Sequence, residues 1–371
     1  MDMDLPGRRR LRALALVLLA CASPVHPRAA EEPVVNMYNW TDYIGPDTLR
    51  DFEREYGIRV NYDVYTSSEI VDAKLMAGGS GYDVVIHAAT FTRRLFPVGL
   101  FLPLDKSKLS NWKHLDPKLM ELFAQFDPGL RYSVPYMWGT TGFTYNVDMV
   151  KERLPDAPLD SSAFIFKPEN AAKLADCGIS LLDSPTDVIP TALLYLGYEA
   201  NSVKPDELQK AGQLLGLIRP YIKYFDSTKL LNDLPNKEVC VAMSWSGDYS
   251  IAATRAKEAG IDIHLKYFVP KEGVPFWLDA AYIPADAPHP ENAYKFLNFL
   301  LRPEVIAAIS NYIGYANANR DATPLVNPEF TANPALYPDA ETIKRLHSTT
   351  VMPPKIERLR SRTWTRVRTG L

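Results

Sequence analysis

VVNMYNWTDYIGPDTLRDFEREYGIRVNYDVYTSSEIVDAKLMAGGSGYDVVIHA, residues 34–88, carries the pattern that decides the fold. VVNMYNW (34–40) is a short apolar and aromatic run of the kind that forms a buried strand. Pro46-Asp47-Thr48 opens a helix that runs to about Tyr56, where Gly57 stops it, and IRVNYDVY (58–65) reads as a second strand. A helix around Glu69 to Met76 ends at Gly78-Gly79, and YDVVIHA (82–88) is a third strand. Strand, helix, strand, helix, strand predicts a parallel sheet, and such sheets gather ligands at the carboxyl ends of their strands. Trp40, Asp42 and Tyr43 lie at one such end, and His87, Ala88 and Thr90 at another.

The middle of the chain repeats this grammar. CGISLLDSP (177–185) and EVCVAMSWSGDY (238–249) each read as a buried strand running into a polar end. IAATRAKEAG after the second is a helix with a terminal glycine. IDIHLKYFVP follows, and PFWLDAAYIPADA is an extended segment ahead of the helix ENAYKFLNFLL. Alternating strands and helices make the class α/β. With 371 residues the chain is long enough for two cores. It visits one α/β lobe, crosses to a second and returns, which implies a cleft between them.

At the amino terminus, Arg8, Arg9, Arg10 and Arg12 precede an apolar run from Ala13 to Ala20. That run is too short to cross a bilayer and fits the core of a secretory signal, so residues 1–30 are expected to direct export. Leu18-Leu19-Ala20-Cys21 resembles a lipoprotein signal, in which Cys21 would become the lipidated first residue; cleavage near Ala29-Ala30 is the other reading, and both stay open. The net charge is −3, and the body has no Lys/Arg block that would track a phosphate backbone, which argues against a nucleic-acid partner. Cleavage before Cys21 removes four Arg and two Asp, leaving a more acidic chain suited to a cationic ligand. Cys177 and Cys240 remain. In an oxidising compartment they are either a disulfide or two buried thiols, and no CxxC suggests redox work.

Three segments place a Trp two or three residues before an Asp: Trp40-Thr41-Asp42-Tyr43, Trp245-Ser246-Gly247-Asp248 and Trp277-Leu278-Asp279. Each is read at a strand end. A buried aromatic beside a carboxylate is awkward core material, because the charge wants water or a partner. A carboxylate accepts hydrogen bonds from an ammonium, and an indole face adds about 0.5 to 2 kcal/mol of cation–π attraction while covering methylenes. Several such pairs around one cleft fit an aliphatic di- or polyamine. Two Asp residues flanking a bond could instead hydrolyse a glycoside. There is, however, no GxSxG, HExxH or P-loop, and no metal spacing among His26, His87, His114, His264, His289 and His347. The expectation is therefore binding without catalysis, metal or cofactor.

YNWTDYIGPDTL, KLMAGGSGYDVV, PLDKSKL, PYMWGTTGFTYNVD, CGISLLDSP, VAMSWSGD, FLNFLLRPEV and YANAN followed by ATPLV resemble the periplasmic polyamine-binding proteins of bacterial ABC transporters, especially the putrescine-binding branch. The resemblance covers nearly the whole chain from Val34. It implies a type II periplasmic-binding-protein fold of two lobes joined by a hinge, here 33–140 with 260–316 and 141–259 with 317–371. It further implies a monomer in the periplasm that delivers a di- or polyamine to a membrane permease. Trp40, Thr41, Asp42 and Tyr43 would form one wall and one polar end of the pocket. Asp248 and Asp279 would grip an ammonium, Trp245, Trp277 and Tyr315 would be aromatic walls, and Asp187 would act on the distal amine. Cys177 and Cys240 match the family's disulfide positions.

Three positions depart from the family pattern. After YDVVI the family usually has Pro-Ser-Ala-Ser, whose first Ser gives a hydroxyl to the amine; here the run is His87-Ala88-Ala89-Thr90. Loss of one hydrogen bond to a charge is worth roughly 1.5 to 3 kcal/mol, about ten- to a hundredfold in affinity. His87 so placed is expected to add positive charge to the pocket. Trp277 stands where Phe is usual, and Asp187 is one methylene shorter than the usual Glu. A polyamine sensor, or a binder of another cationic amine, are the alternative readings.

Overall fold

The three strands of the opening stretch form where their apolar runs lie. In a computed structural model, which describes residues 31–370 except 335, 339 and 351, together with residues 1 and 3, β1 (Val34–Trp40) pairs in parallel with β2 (Arg59–Tyr65) on one side and β3 (Val84–Ala88) on the other. Cys21 and the leader lie outside the described residues. The first helix, Thr48–Tyr56, buries Phe52 and stops at Gly57, whose φ of 65° a residue with a Cβ adopts only at a cost. The next, Ser68–Met76, starts where the Ser67 hydroxyl accepts the Ile70 amide. Glu32–Leu371 forms one unit by its internal contacts.

β4 (Val134–Asn146) joins the two halves and has no counterpart in the sequence expectations. Its residues Val134–Thr140 pair antiparallel with β9 (Val274–Tyr282), whereas Thr141–Tyr145 pair with β7 (Val241–Trp245) and Phe143–Asn146 with β8 (Leu265–Phe268). β5 (Ile179–Leu181) and β6 (Ile222–Phe225) complete an order of β2-β1-β3-β9-β4-β7-β5-β6. β8 pairs with the distal half of β4, whereas β9, next in the chain, pairs with its first half. Two short strands close the list: β10 (Ala316–Asn317) pairs with β4 at Met137 and Trp138, and β11 (Leu346–Ser348) with the start of β9.

Gly139 and Gly142 lie inside this strand, where glycine ordinarily weakens pairing. The packing gives the reason for Gly139. A Cβ there would lie 2.4 Å from the Trp277 ring and 2.7 Å from Ser246 Oγ, so only glycine lets that indole cross the strand.

Cys177 and Cys240 form a disulfide, with Cα atoms 5.4 Å apart. It ties the chain just ahead of β5 to the chain just ahead of β7, which are neighbouring parallel strands. The choice between bridge and free thiols is thereby settled.

Candidate functional site

The carboxyl ends of β1 and β3 open onto a pocket whose other side comes from the second half of the chain. All eleven residues singled out in the sequence line it: Trp40, Thr41, Asp42, Tyr43, Ala88, Asp187, Trp245, Asp248, Trp277, Asp279 and Tyr315. Most of them sit at the expected strand ends: the Trp40–Tyr43 group forms a turn after β1 in which Asp42 has a φ of 55°, Ala88 ends β3, and Trp245 ends β7. Asp248 is the third residue of the Ser246–Glu258 helix, where its Oδ2 accepts the Trp245 amide at 2.9 Å and so caps the first turn. Trp277 and Asp279 sit inside β9, and Asp279 is flanked by Ala88 of β3 and Met137 of β4.

Six acids line the pocket, Asp42, Glu69, Asp183, Asp187, Asp248 and Asp279, with no Lys, Arg or His among the described lining residues. Two of them are already engaged. Asp183 accepts the Trp364 indole N–H at 3.0 Å and pairs with Arg368 at 2.9 Å, and Asp42 pairs with Arg255 at 3.0 Å. Asp187, Asp248 and Asp279 are buried and make no ion pair among the described residues. Thr141 and Ser184 donate their hydroxyls to the two oxygens of Asp187, and Tyr315 donates to Asp248 Oδ1 at 2.8 Å.

Burial dominates the acid–base behaviour of all three, because a charge loses solvation that neutral hydrogen bonds only partly replace. It pushes Asp248 up to about 7 against the opposing pull of the Trp245 amide and the Tyr315 hydroxyl. Asp279 is likewise pushed up to about 7; Tyr43, whose hydroxyl has no hydrogen-bond partner of ordinary geometry, opposes the rise, and the Asp187 charge adds to it. Asp187 is raised by burial and drawn back by the Ser184 and Thr141 hydroxyls. Each carboxylate therefore gains from a cation brought to it.

Aromatic rings close the sides. Tyr43, Trp277 and Tyr315 form a triangle of edge contacts with centroids 5.2 to 6.4 Å apart. Trp40 stacks at a tilt on Tyr65 at 4.5 Å and faces Trp245 at 6.4 Å. These faces suit methylenes and an onium charge. The N–H groups of Trp40 and Trp277 lack partners, and being donors they can serve only an acceptor, never an ammonium.

A family model described as bacterial extracellular solute-binding protein matches residues 47–338. The chain belongs to the bacterial extracellular solute-binding proteins. It is 49% identical over 344 residues to the putrescine-binding periplasmic protein PotF of Escherichia coli, covering 92% of this chain and 93% of that one. It is 43% identical to a putrescine/agmatine-binding protein of Pseudomonas aeruginosa, covering 98% and 100%. Among solved structures, the spermidine/putrescine ABC transporter substrate-binding protein PotD of Streptococcus pneumoniae superposes with a TM-score of 0.75 at 29% identity, covering 91% and 99%.

In this solute-binding protein Asp42 already has a partner, Arg255, which reaches it at 3.0 Å from the Ser246–Glu258 helix and is also held by Asn232 at 2.9 Å. The expected placement of His87 changes: it is fully buried and does not line the pocket. Its strand alternates, and Ala88 takes the pocket face instead. The sequence reading also passed over lining residues from the second side, notably Ser184, Ser227, Thr228 and Thr349. Ser184 lay in the quoted CGISLLDSP run next to Asp183; the others are single hydroxyl residues in loops and carry no pattern.

Proposed function

We propose that the protein captures a di- or polyamine between its two lobes and delivers it, as a monomer in the periplasm, to the permease of an ABC transporter. The observation that carries this reading is a pocket lined, among the described residues, by six acids and no base, three of the acids being buried without an ion pair there. The amine-binding relatives point the same way. Asp248 and Asp279 bind one ammonium beside Tyr315, Asp187 serves the distal amine, and the indoles and tyrosines cover the methylenes. Ion pairing compensates desolvation, and no covalent step is required. Closing of the lobes, joined through β4, then presents the loaded form to the permease.

Titration calorimetry of ligand-stripped protein with putrescine, cadaverine, agmatine, spermidine and an amino-acid control tests the reading. At least one amine binds and the amino acid does not; silence across the amines from folded protein sinks it. The pH dependence has a definite sign. Asp248 and Asp279 sit at about 7 when the pocket is empty, so binding a cation at pH 7 releases protons, seen as heats that differ between buffers. Affinity falls on acidification below 7, by up to about tenfold per carboxylate per pH unit. Stability of the empty protein runs the other way. Folded values raised above the ordinary 3.8 favour folding at low pH, and that contribution is lost as pH rises through about 7.

Gly247 makes a narrower test. A Cβ there would lie 2.2 Å from the Tyr315 ring, whose hydroxyl serves Asp248. Gly247→Ala is expected to displace Tyr315 and weaken amine binding by about tenfold or more, measured in the same titration. Unchanged affinity would mean that Tyr315 is only a wall.

A further inference from the structure

His87 connects the pocket wall to the surface through a chain of hydrogen bonds. Its Nδ1 accepts the backbone N–H of Ala88 at 2.9 Å, so Nδ1 carries no proton. The ring hydrogen is then on Nε2, 3.0 Å from Asp72 Oδ1, and the other oxygen of Asp72 is held by Arg94. His87 and Asp72 are buried, while Arg94 is partly exposed. Every polar atom of the buried imidazole and carboxylate thus has an assigned partner among these groups.

The imidazole also touches three lining residues. Phe91 stacks on it with centroids 5.9 Å apart, Tyr65 meets it edge-on at 6.4 Å, and Ala88 is bonded to it through the backbone. Ala88 is the cross-strand neighbour of Asp279. One buried ring therefore fixes Tyr65, Ala88 and Phe91, the wall beside the Asp279 carboxylate.

We propose that His87 is a positioning residue that sets ligand selectivity by holding this wall, with Asp72 and Arg94 fixing its tautomer. It does not touch the ligand. The idea rests on the amine-binding reading above, with the wall determining which alkyl length fits against Asp279. Discrimination over one methylene typically amounts to about ten- to two-hundredfold when walls are rigid, and a wall that can shift loses it.

The test compares putrescine with cadaverine by titration calorimetry for the wild type, His87→Leu and His87→Asn. Leu fills much of the space but can neither accept from Ala88 nor donate to Asp72. Asn keeps a carbonyl able to accept the Ala88 N–H. The wild-type preference between the two diamines is expected to shrink by about tenfold in His87→Leu and to be largely retained in His87→Asn. Preference retained in both variants, or lost equally in both while thermal unfolding stays as in the wild type, would overturn the proposal. Nitrogen-15 NMR of the wild-type ring at pH 7 supplies a readout independent of any ligand. It should show an unprotonated Nδ1 and a protonated Nε2, and the opposite tautomer or a doubly protonated ring overturns the proposal. Should the wild type bind no amine while the ring shows the expected tautomer, the functional reading fails, selectivity falls with it, and the hydrogen-bonded wall alone stands.

Discussion

Asp279→Asn is expected to weaken putrescine binding by at least about thirtyfold, which corresponds to about 2 kcal/mol or more for removing one partner of a desolvated charge pair. The substitution keeps the shape of a side chain buried within β9 and removes its charge. The amide also offers an N–H where the ligand ammonium has only donors. The same change should stabilise the empty protein at pH 8, because burial holds this carboxyl at about 7 and its ionisation opposes folding. Loss of affinity together with gain of stability separates a binding role from a structural one. Calorimetry and denaturant unfolding on the same sample measure both, and unchanged affinity would remove Asp279 from the site. Asp248 is a less clean test, since its oxygens also cap Trp245 and receive Tyr315.

Replacing both Cys177 and Cys240 by Ala should cost about 4 kcal/mol of stability, the chain-entropy value for a loop of this size. The bridge spans a sequence separation of 63 residues and joins the starts of two adjacent parallel strands, β5 and β7. Neither cysteine lines the pocket, so amine affinity should be nearly unchanged. Denaturant unfolding of the double variant, and of the wild type under reducing conditions, provides the number. A loss below about 1 kcal/mol, well under the usual range, would mean that strand pairing alone restrains the unfolded chain there.

Local pattern was enough for the elements that depend on local signals. β1 forms over the expected residues, and Gly57 ends the first helix as read. The three Trp…Asp groups were also legible, because a Trp placed close to an Asp conflicts with simple core packing, whereas Asp187 and Tyr315 carry no such pattern and came from the family resemblance. What escaped depends on partners distant in sequence. β4 contains Gly139, which admits the Trp277 ring from β9, and Gly142, which lies against Tyr267 and Phe268 of β8; neither partner is visible in local sequence. The first turn of the Ser246–Glu258 helix was read as a strand end, since a capping Asp and a strand-terminal Asp look alike in sequence. Asp42 was expected to face the ligand, and its pairing with Arg255, more than two hundred residues away, is invisible without the fold. The orientation of His87 likewise turned on Asp72 lying behind it.

The change of pairing partners along β4 gives the molecule a fulcrum. Thr140 still pairs with β9 and Thr141 already pairs with β7, and Thr141 also donates to Asp187 in the pocket. For the lobe movement proposed here, a twist about this point displaces nearby atoms least and the mouth, where Arg255 meets Asp42, most. Changes at the floor should then act mainly on how tightly the ligand is held. Changes at the mouth should speed or slow entry and release together, leaving the protein able to tune the speed of hand-over separately from the strength of capture.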